Sequence, residues 1–267
     1  MKKPLKQPKA IRLLKYFWSA RNLPRFFSNW YILPLSYLGL VNLREGKIIK
    51  LSNAYKFKIL HFLDALGIKE VFLDDDYQLK LSNSPKTIID IGANIGAFSI
   101  FMASKYPKAH IYSYEPSAST FRVFLHNIKI NNFSKQISPF KLAVYKKNSQ
   151  IKLYNPGPSG LRSIHHTRNE KKSETVETIT LEKIFSQNKI NKCDLIKIDC
   201  EGAEYEILAN TPPTVFKKIK QVVLEFHEMT PSQSHIQLIN ILKMNGFKVK
   251  GDYHKIENNI GYIYAKK

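Results

Sequence analysis

Acidic residues are scarce in this chain: 21 Asp and Glu stand against 42 Lys and Arg, a formal charge of +21 over 267 residues. Cysteine is scarcer still. Cys193 and Cys200 lie an odd seven residues apart on one predicted strand, so they face opposite sides and cannot pair with each other. Their free thiols speak against a disulfide-stapled secreted scaffold and predict a reducing, cytoplasmic setting. Long apolar runs are missing as well. The stretch "FFSNWYILPLSYLGLV" from Phe26 to Val41 falls short of the ~20 apolar residues that a membrane-crossing helix needs, and Asn29, Pro34 and Ser36 interrupt it. No small-residue cleavage site follows the basic start, so a signal peptide is not expected. There is no internal repeat.

The basic charge is unevenly placed. Residues 1–50 carry eleven Lys or Arg against the single acid Glu45, and both tryptophans, Trp18 and Trp30, lie among them. Basic residues interleaved with Tyr16, Phe17, Phe26, Phe27 and Tyr31 suit an anionic membrane surface or a nucleic acid. The plainer reading is a cap on the core, with the apolar side chains buried and the lysines solvated. With 43% hydrophobic residues the chain can bury one substantial core. This predicts a basic, aromatic, helical extension over 1–40 and one domain over 41–267.

"TIIDIGANIGAFSI", Thr87 to Ile100, opens as a β-branched strand buried on both faces and ends with apolar residues at helical spacing. A glycine turn at such a junction is where open α/β sheets bind nucleotides. A dinucleotide fingerprint needs G-x-G-x-x-G, and here Asn94 stands at the second glycine. Asp90, two residues before Gly92, would repel a pyrophosphate but suits a ligand with an ammonium and a sulfonium. That ligand is S-adenosylmethionine. The competing reading is a tight turn that binds nothing.

Residues 41–51 read as a hairpin around Glu45–Gly46, and "NAYKFKILHFLDALG" reads as a helix closed by Gly67. A second strand ends at Glu115, with Pro116 at the first helical position of the next helix. "ISPFKLAVY" is a third strand. A strand, a long loop and a charged run follow, then strand four in "LIKIDC", strand five in "VVLEFHE", a helix, and two closing strands that can pair antiparallel.

Strand ends in a doubly wound sheet converge on one edge. They supply Asp90 and Asn94, Glu115, Asp199 and Glu201, then Glu225, His227 and Glu228. Glu115 stands nineteen residues after Gly96, near the ~20-residue spacing of a ribose-binding acid. The alternative for Glu115 is a helix N-terminal acid favoured by the dipole.

"DIGANIGAFS", "YEPSASTFRVFLHNI" with "INN", "LIKIDCEGAEYEIL" and "VVLEFHE" together resemble the FkbM family of S-adenosylmethionine-dependent methyltransferases, over roughly residues 40–265. The resemblance implies an α/β class I methyltransferase fold, a Rossmann-like, doubly wound, mostly parallel seven-stranded sheet with its last strand inserted antiparallel. It implies O-methylation of a hydroxyl on a sugar, glycolipid or other small-molecule or glycan acceptor. Asp90, Gly92, Asn94 and Gly96 would hold the amino-acid end of the cofactor, Glu115 the ribose, and Ala143 the adenine. Cys200 fills a slot where the family shows an aliphatic residue.

An alcohol acceptor needs a base, and Asp199, Glu201 and His227 are the candidates, His227 for its ordinary pKa. Alternatively, Asp199, Glu201, Glu225 and His227 ligate a divalent metal that activates the acceptor. Lys197, in phase with Asp199, points the same way or snorkels. The loop from Pro156 to Thr167 would form an acceptor lid through Ser159, Arg162 and Ser163, with Arg162 suited to a phosphate or carboxylate. The adjacent His165 and His166 make a poor metal pair. Two other classes stand against this reading. One is an RNA methyltransferase using the basic start, which lacks an N/D-P-P-Y/F motif and any RRM-like or zinc module. The other is a non-catalytic cofactor-binding or membrane-scaffold protein, disfavoured by four strand ends carrying acids.

Overall fold

The computed structural model describes residues 23–74, 81, 84–154, 173–250, 255–257 and 259–267. The strands are β1 (Lys47–Lys50), β2 (Lys56–Ile59), β3 (Thr87–Ile91), β4 (His110–Tyr114), β5 (Ile137–Phe140), β6 (Ala143–Val144) and β7 (Gln150–Tyr154), then β8 (Ser173–Ile179), β9 (Leu195–Ile198), β10 (Gln221–His227), β11 (Lys248–Lys250), β12 (Lys255–Glu257) and β13 (Ile260–Lys266). The principal helices are α1 (Phe62–Lys69), α2 (Ala97–Lys105), α3 (Ala118–Ile130), α4 (Leu181–Gln187), α5 (Glu204–Ala209) and α6 (His235–Met244).

The central sheet runs in the order β11-β13-β10-β9-β3-β4-β5, with β12 pairing onto β13. Neighbours from β10 through β9, β3 and β4 to β5 are parallel, and β13 is antiparallel to both β10 and β11. This is the seven-stranded, doubly wound arrangement expected, with the last strand inserted antiparallel. All four residues of β9 are buried, and Thr87 is the one β3 residue that is not. Side-chain alternation then divides the core. Ile88, Leu195 and Val223 join the cluster under α2 and α3, while Ile89, Ile91, Ile196, Ile198 and Leu224 join the cluster under α4, α5 and α6.

Several local expectations are corrected. The hairpin is β1 with β2, closed through residues 51–55, whereas Glu45 and Gly46 end a short 3-10 turn. "KFKI" is therefore a strand and not the start of a helix. Phe57 and Ile59 are fully buried. Asn127 on α3 and Asn131, the residue that caps its C-terminus one turn later, bond both backbone groups of Lys58 and Lys56. Two asparagines thus occupy the free edge of β2 and override its local periodicity. Gly67 lies inside α1, which continues into a π-helical turn at Glu70–Asp74. Pro116 precedes α3, whose N-cap is Ser117. The third strand breaks after Phe140, and Ala143–Val144 pairs with β8 in a separate small sheet. Both cysteines are free, as expected, although Cys193 precedes β9 and Cys200 follows it.

Residues 23–37 do not stand apart from the core. Leu23, Phe26, Phe27 and Leu33 are buried in the same cluster as Ile49, Leu51 and Phe57. Trp30, Tyr31, Leu38 and Leu40 are exposed. Among the described residues no helix is long and apolar enough to cross a membrane. Trp18 and most of the basic start lie outside the described residues.

Candidate active site

The turn after β3 shows why Gly, Asn and Gly recur there. Gly92, Asn94 and Gly96 have φ of 77°, 51° and 91°, in the left-handed region that these residue types tolerate best. A Cβ on Gly92 would lie 1.7 Å from the carbonyl oxygen of Asp199, so the turn rests directly on the chain leaving β9. A Cβ on Gly96 would lie 2.2 Å from the Phe124 ring, which fixes how closely α2 approaches α3.

Above this turn opens a cavity of about 350 Å³, within the ~300–1,000 Å³ usual for small-molecule sites. Its walls include Gly92, Ala93 and Asn94 from the turn, Glu115 after β4, Ala143 on β6, Lys197, Asp199, Cys200 and Glu201 at the end of β9, and Glu225 on β10. α1 and its π-helical turn cover it, contributing Gly67 and Glu70. The cavity therefore lies at the carboxyl edge of the sheet, at the switch point between β3 and β9.

Asp90 and Gly96 support the turn without lining the cavity. The Asp90 carboxylate is completely buried and accepts a 2.6 Å hydrogen bond from Ser99 Oγ. Burial pushes it above the ordinary carboxylate range, against the pull of Lys197 and Ser99. Lys197 neither snorkels nor reaches solvent. Its Nζ donates to the Gly92 carbonyl at 2.8 Å and stands 3.1 Å from Asp199 and 3.5 Å from Asp90. Burial alone would lower its pKa, but Asp199 and Asp90 outweigh it and hold the ammonium protonated.

Glu115 is a connector. Its two carboxylate oxygens accept the backbone N–H groups of Asn94 at 3.0 Å and Ser117 at 2.9 Å, joining the glycine turn to the start of α3. Asn94 Oδ1 is buried beside the cavity with no protein donor. An orphaned acceptor, a glycine cradle and a nearby carboxylate fit a ligand carrying an ammonium and a ribose.

At the other end, Glu201 and Glu225 face the cavity. Burial raises Glu201 to about 7, a rise that His227 moderates, and burial with Asp199 raises Glu225 to about 8. His227 stands behind them and does not line the cavity. Its Nδ1 is 3.2 Å from Glu204, and its Nε2 is 3.7 Å from Glu201 and 3.8 Å from Glu225. Burial works against the imidazolium, but the bond to Glu204 and the surrounding carboxylates win and lift His227 to about 10. Its raised pKa and its place behind Glu201 and Glu225 speak against His227 as the group that takes a proton from an acceptor. Among the described residues no three carboxylate, imidazole or thiol groups are placed to hold a metal ion. Glu228 turns away to accept the His235 N–H at the start of α6. Burial raises the Cys200 thiol well above its usual range, so it lines the cavity as an apolar group. Ser159, Arg162 and Ser163 lie outside the described residues. Glu70 and Glu204 were not expected from the sequence.

The Methyltransferase FkbM domain matches residues 90–249, more than half of the chain. The chain is an FkbM-family methyltransferase. It is 27% identical over 214 residues to methyltransferase sdnD of Sordaria araneosa, covering 69% of this chain and 82% of that protein. It is 22% identical to the hexuronic acid methyltransferase AglP of Haloferax volcanii, over 58% of this chain and 62% of that one. With the 31-O-demethyl-FK506 methyltransferase FkbM of Streptomyces tacrolimicus it shares 20% identity, over 61% of this chain and 72% of that one. The crystal structure of methyltransferase FkbM from Methylobacillus flagellatus shares the fold at TM-score 0.51 and 15% identity, covering 74% of this chain and 47% of that one. This FkbM-family enzyme therefore carries the family's fold around the cavity described above.

Proposed function

We propose that this FkbM-family enzyme moves a methyl group from S-adenosylmethionine to a hydroxyl of a sugar, glycolipid or other small-molecule acceptor, with Glu201 taking the hydroxyl proton. The observation that carries this reading is that Glu201 lines the cavity, its carboxyl raised by burial to about 7, while His227 stands behind it against Glu204 and does not line the cavity. A base works best when its pKa lies near the working pH.

When bound, S-adenosylmethionine would supply a methyl group on a positively charged sulfur, open to displacement by the acceptor oxygen with the sulfur as leaving group. This chain's residues align the acceptor and receive its proton. Asn94 Oδ1 is suited to the cofactor's ammonium, Glu115 to the ribose and Ala143 to the adenine. Asp90 acts through Lys197, which in turn holds the Gly92 carbonyl. The names of two relatives favour an oxygen acceptor, since one carries a hexuronic acid and the other a 31-O-demethyl compound.

The test is methyl transfer from labelled S-adenosylmethionine to a panel of hydroxylated glycans and small molecules. Glu201→Gln should lower turnover by roughly 10²- to 10⁴-fold with cofactor affinity unchanged. Full activity in that variant would overturn the base assignment.

A further inference from the structure

Glu204 is fully buried at the start of α5 and does not line the cavity. One oxygen accepts the Cys200 N–H at 2.9 Å and meets His227 Nδ1 at 3.2 Å, and the other accepts the Gly202 N–H at 2.9 Å. Its two backbone donors flank Glu201, which has a φ of 54°. A non-glycine residue in that left-handed region persists only where its surroundings over-determine it. The imidazole that Glu204 holds presents its other nitrogen to Glu201 and Glu225.

We propose that Glu204 is a positioning residue that acts through two neighbours: it holds the Asp199–Gly202 turn so that Glu201 faces the cavity, and it holds the His227 imidazole behind that carboxylate. The inference rests on the role proposed for Glu201. The charged groups facing His227 are Asp199 and Glu201 from the turn, Glu204 from α5 and Glu225 from its own strand, and Lys197 on β9 faces the same carboxylates. Glu204 keeps the ring cationic, and the cation opposes the upward push of burial on Glu201. Removing the Glu204 charge should release the His227 proton nearer neutrality and send the Glu201 carboxyl upward.

The test is a pH titration of the full-length chain by NMR with ¹⁵N-labelled histidine, His227 being assigned by its loss in His227→Gln. In the wild type both ring nitrogens should stay protonated through pH 8. In Glu204→Gln the His227 midpoint should fall by at least about two pH units. An unchanged midpoint, even with a lower melting temperature, would reduce Glu204 to a structural brace and overturn the proposal. If Glu204→Gln does not fold, His227→Gln with ¹³C-labelled glutamate carries the test. The Glu201 midpoint should then rise by about one unit or more, and an unmoved one would overturn it. Neither readout needs an acceptor. Undiminished turnover in Glu201→Gln beside a shifted His227 titration would instead refute the base assignment alone.

Discussion

Lys197→Met removes a buried ammonium and keeps its apolar stem. In the wild type that ammonium lies between Asp90 and Asp199 and holds the Gly92 carbonyl. Without it, the buried Asp90 has no counter-charge and takes up a proton. Neutralising a carboxyl of ordinary pKa ~3.9 at pH 7.5 costs at most roughly 5 kcal/mol, at about 1.36 kcal/mol per unit. Burial already holds wild-type Asp90 above its ordinary range, and the Asp199 side chain is 27% exposed and can be rehydrated. The expected loss is therefore ~2–4 kcal/mol, in keeping with broken buried ion pairs.

The pH dependence distinguishes this cause from a packing defect. With its folded pKa above its unfolded one, Asp90 binds more protons when folded, so the destabilisation grows as pH rises through that window and fades below the unfolded value. At pH 5 the ceiling is about 1.5 kcal/mol. Lys197 contributes stability that is full below its unfolded pKa and is lost only as pH rises through its raised folded value, so its own term is flat here. Urea unfolding of both proteins at pH 5 and 7.5 is the assay, and the variant's deficit should at least halve at pH 5. A deficit independent of pH, or one below about 0.5 kcal/mol at pH 7.5, would refute the reasoning.

Gly92→Ala should act on the fold before it acts on binding, because its Cβ would meet the Asp199 carbonyl. A clear drop in melting temperature without ligand is expected, and a normally stable variant would show that the two turns do not touch as described. The basic extension, together with exposed Trp30, Tyr31, Leu38 and Leu40, leads us to propose contact with anionic membrane. Co-sedimentation should require anionic lipid and be lost on deleting residues 1–22. Equal binding to neutral vesicles would contradict it.

The Gly-Asn-Gly turn after β3 was legible in the sequence because its information is local. β-branched residues, a Gly-Asn-Gly turn and a helix stand within fourteen residues, and the acid on the next strand sits at a fixed spacing. The sheet followed from the same βα rhythm. What stayed hidden depends on distant partners. "KFKI" is a strand because Asn127 and Asn131 cap its edge. Asp90 leaves the cavity because Lys197 and Ser99 take its carboxylate. His227 meets Glu204, twenty-three residues earlier, a contact that no local spacing announces. An acid three residues after Glu201 in "EGAE" was the available signal for Glu204. Glu70 had none, since only the π-helical turn brings it over the cavity.

Calorimetric titration of the full chain with S-adenosylmethionine and, separately, NAD asks whether the cavity beside the Gly-Asn-Gly turn binds S-adenosylmethionine. The orphaned Asn94 Oδ1 should weaken binding when removed in Asn94→Gly, which keeps the left-handed backbone, by roughly tenfold for one lost hydrogen bond to a charged donor. Saturable one-to-one binding of S-adenosylmethionine to the wild type is expected, with that loss in the variant and no binding of NAD. Equal affinity for NAD, or affinity for S-adenosylmethionine untouched by Asn94→Gly, would contradict it.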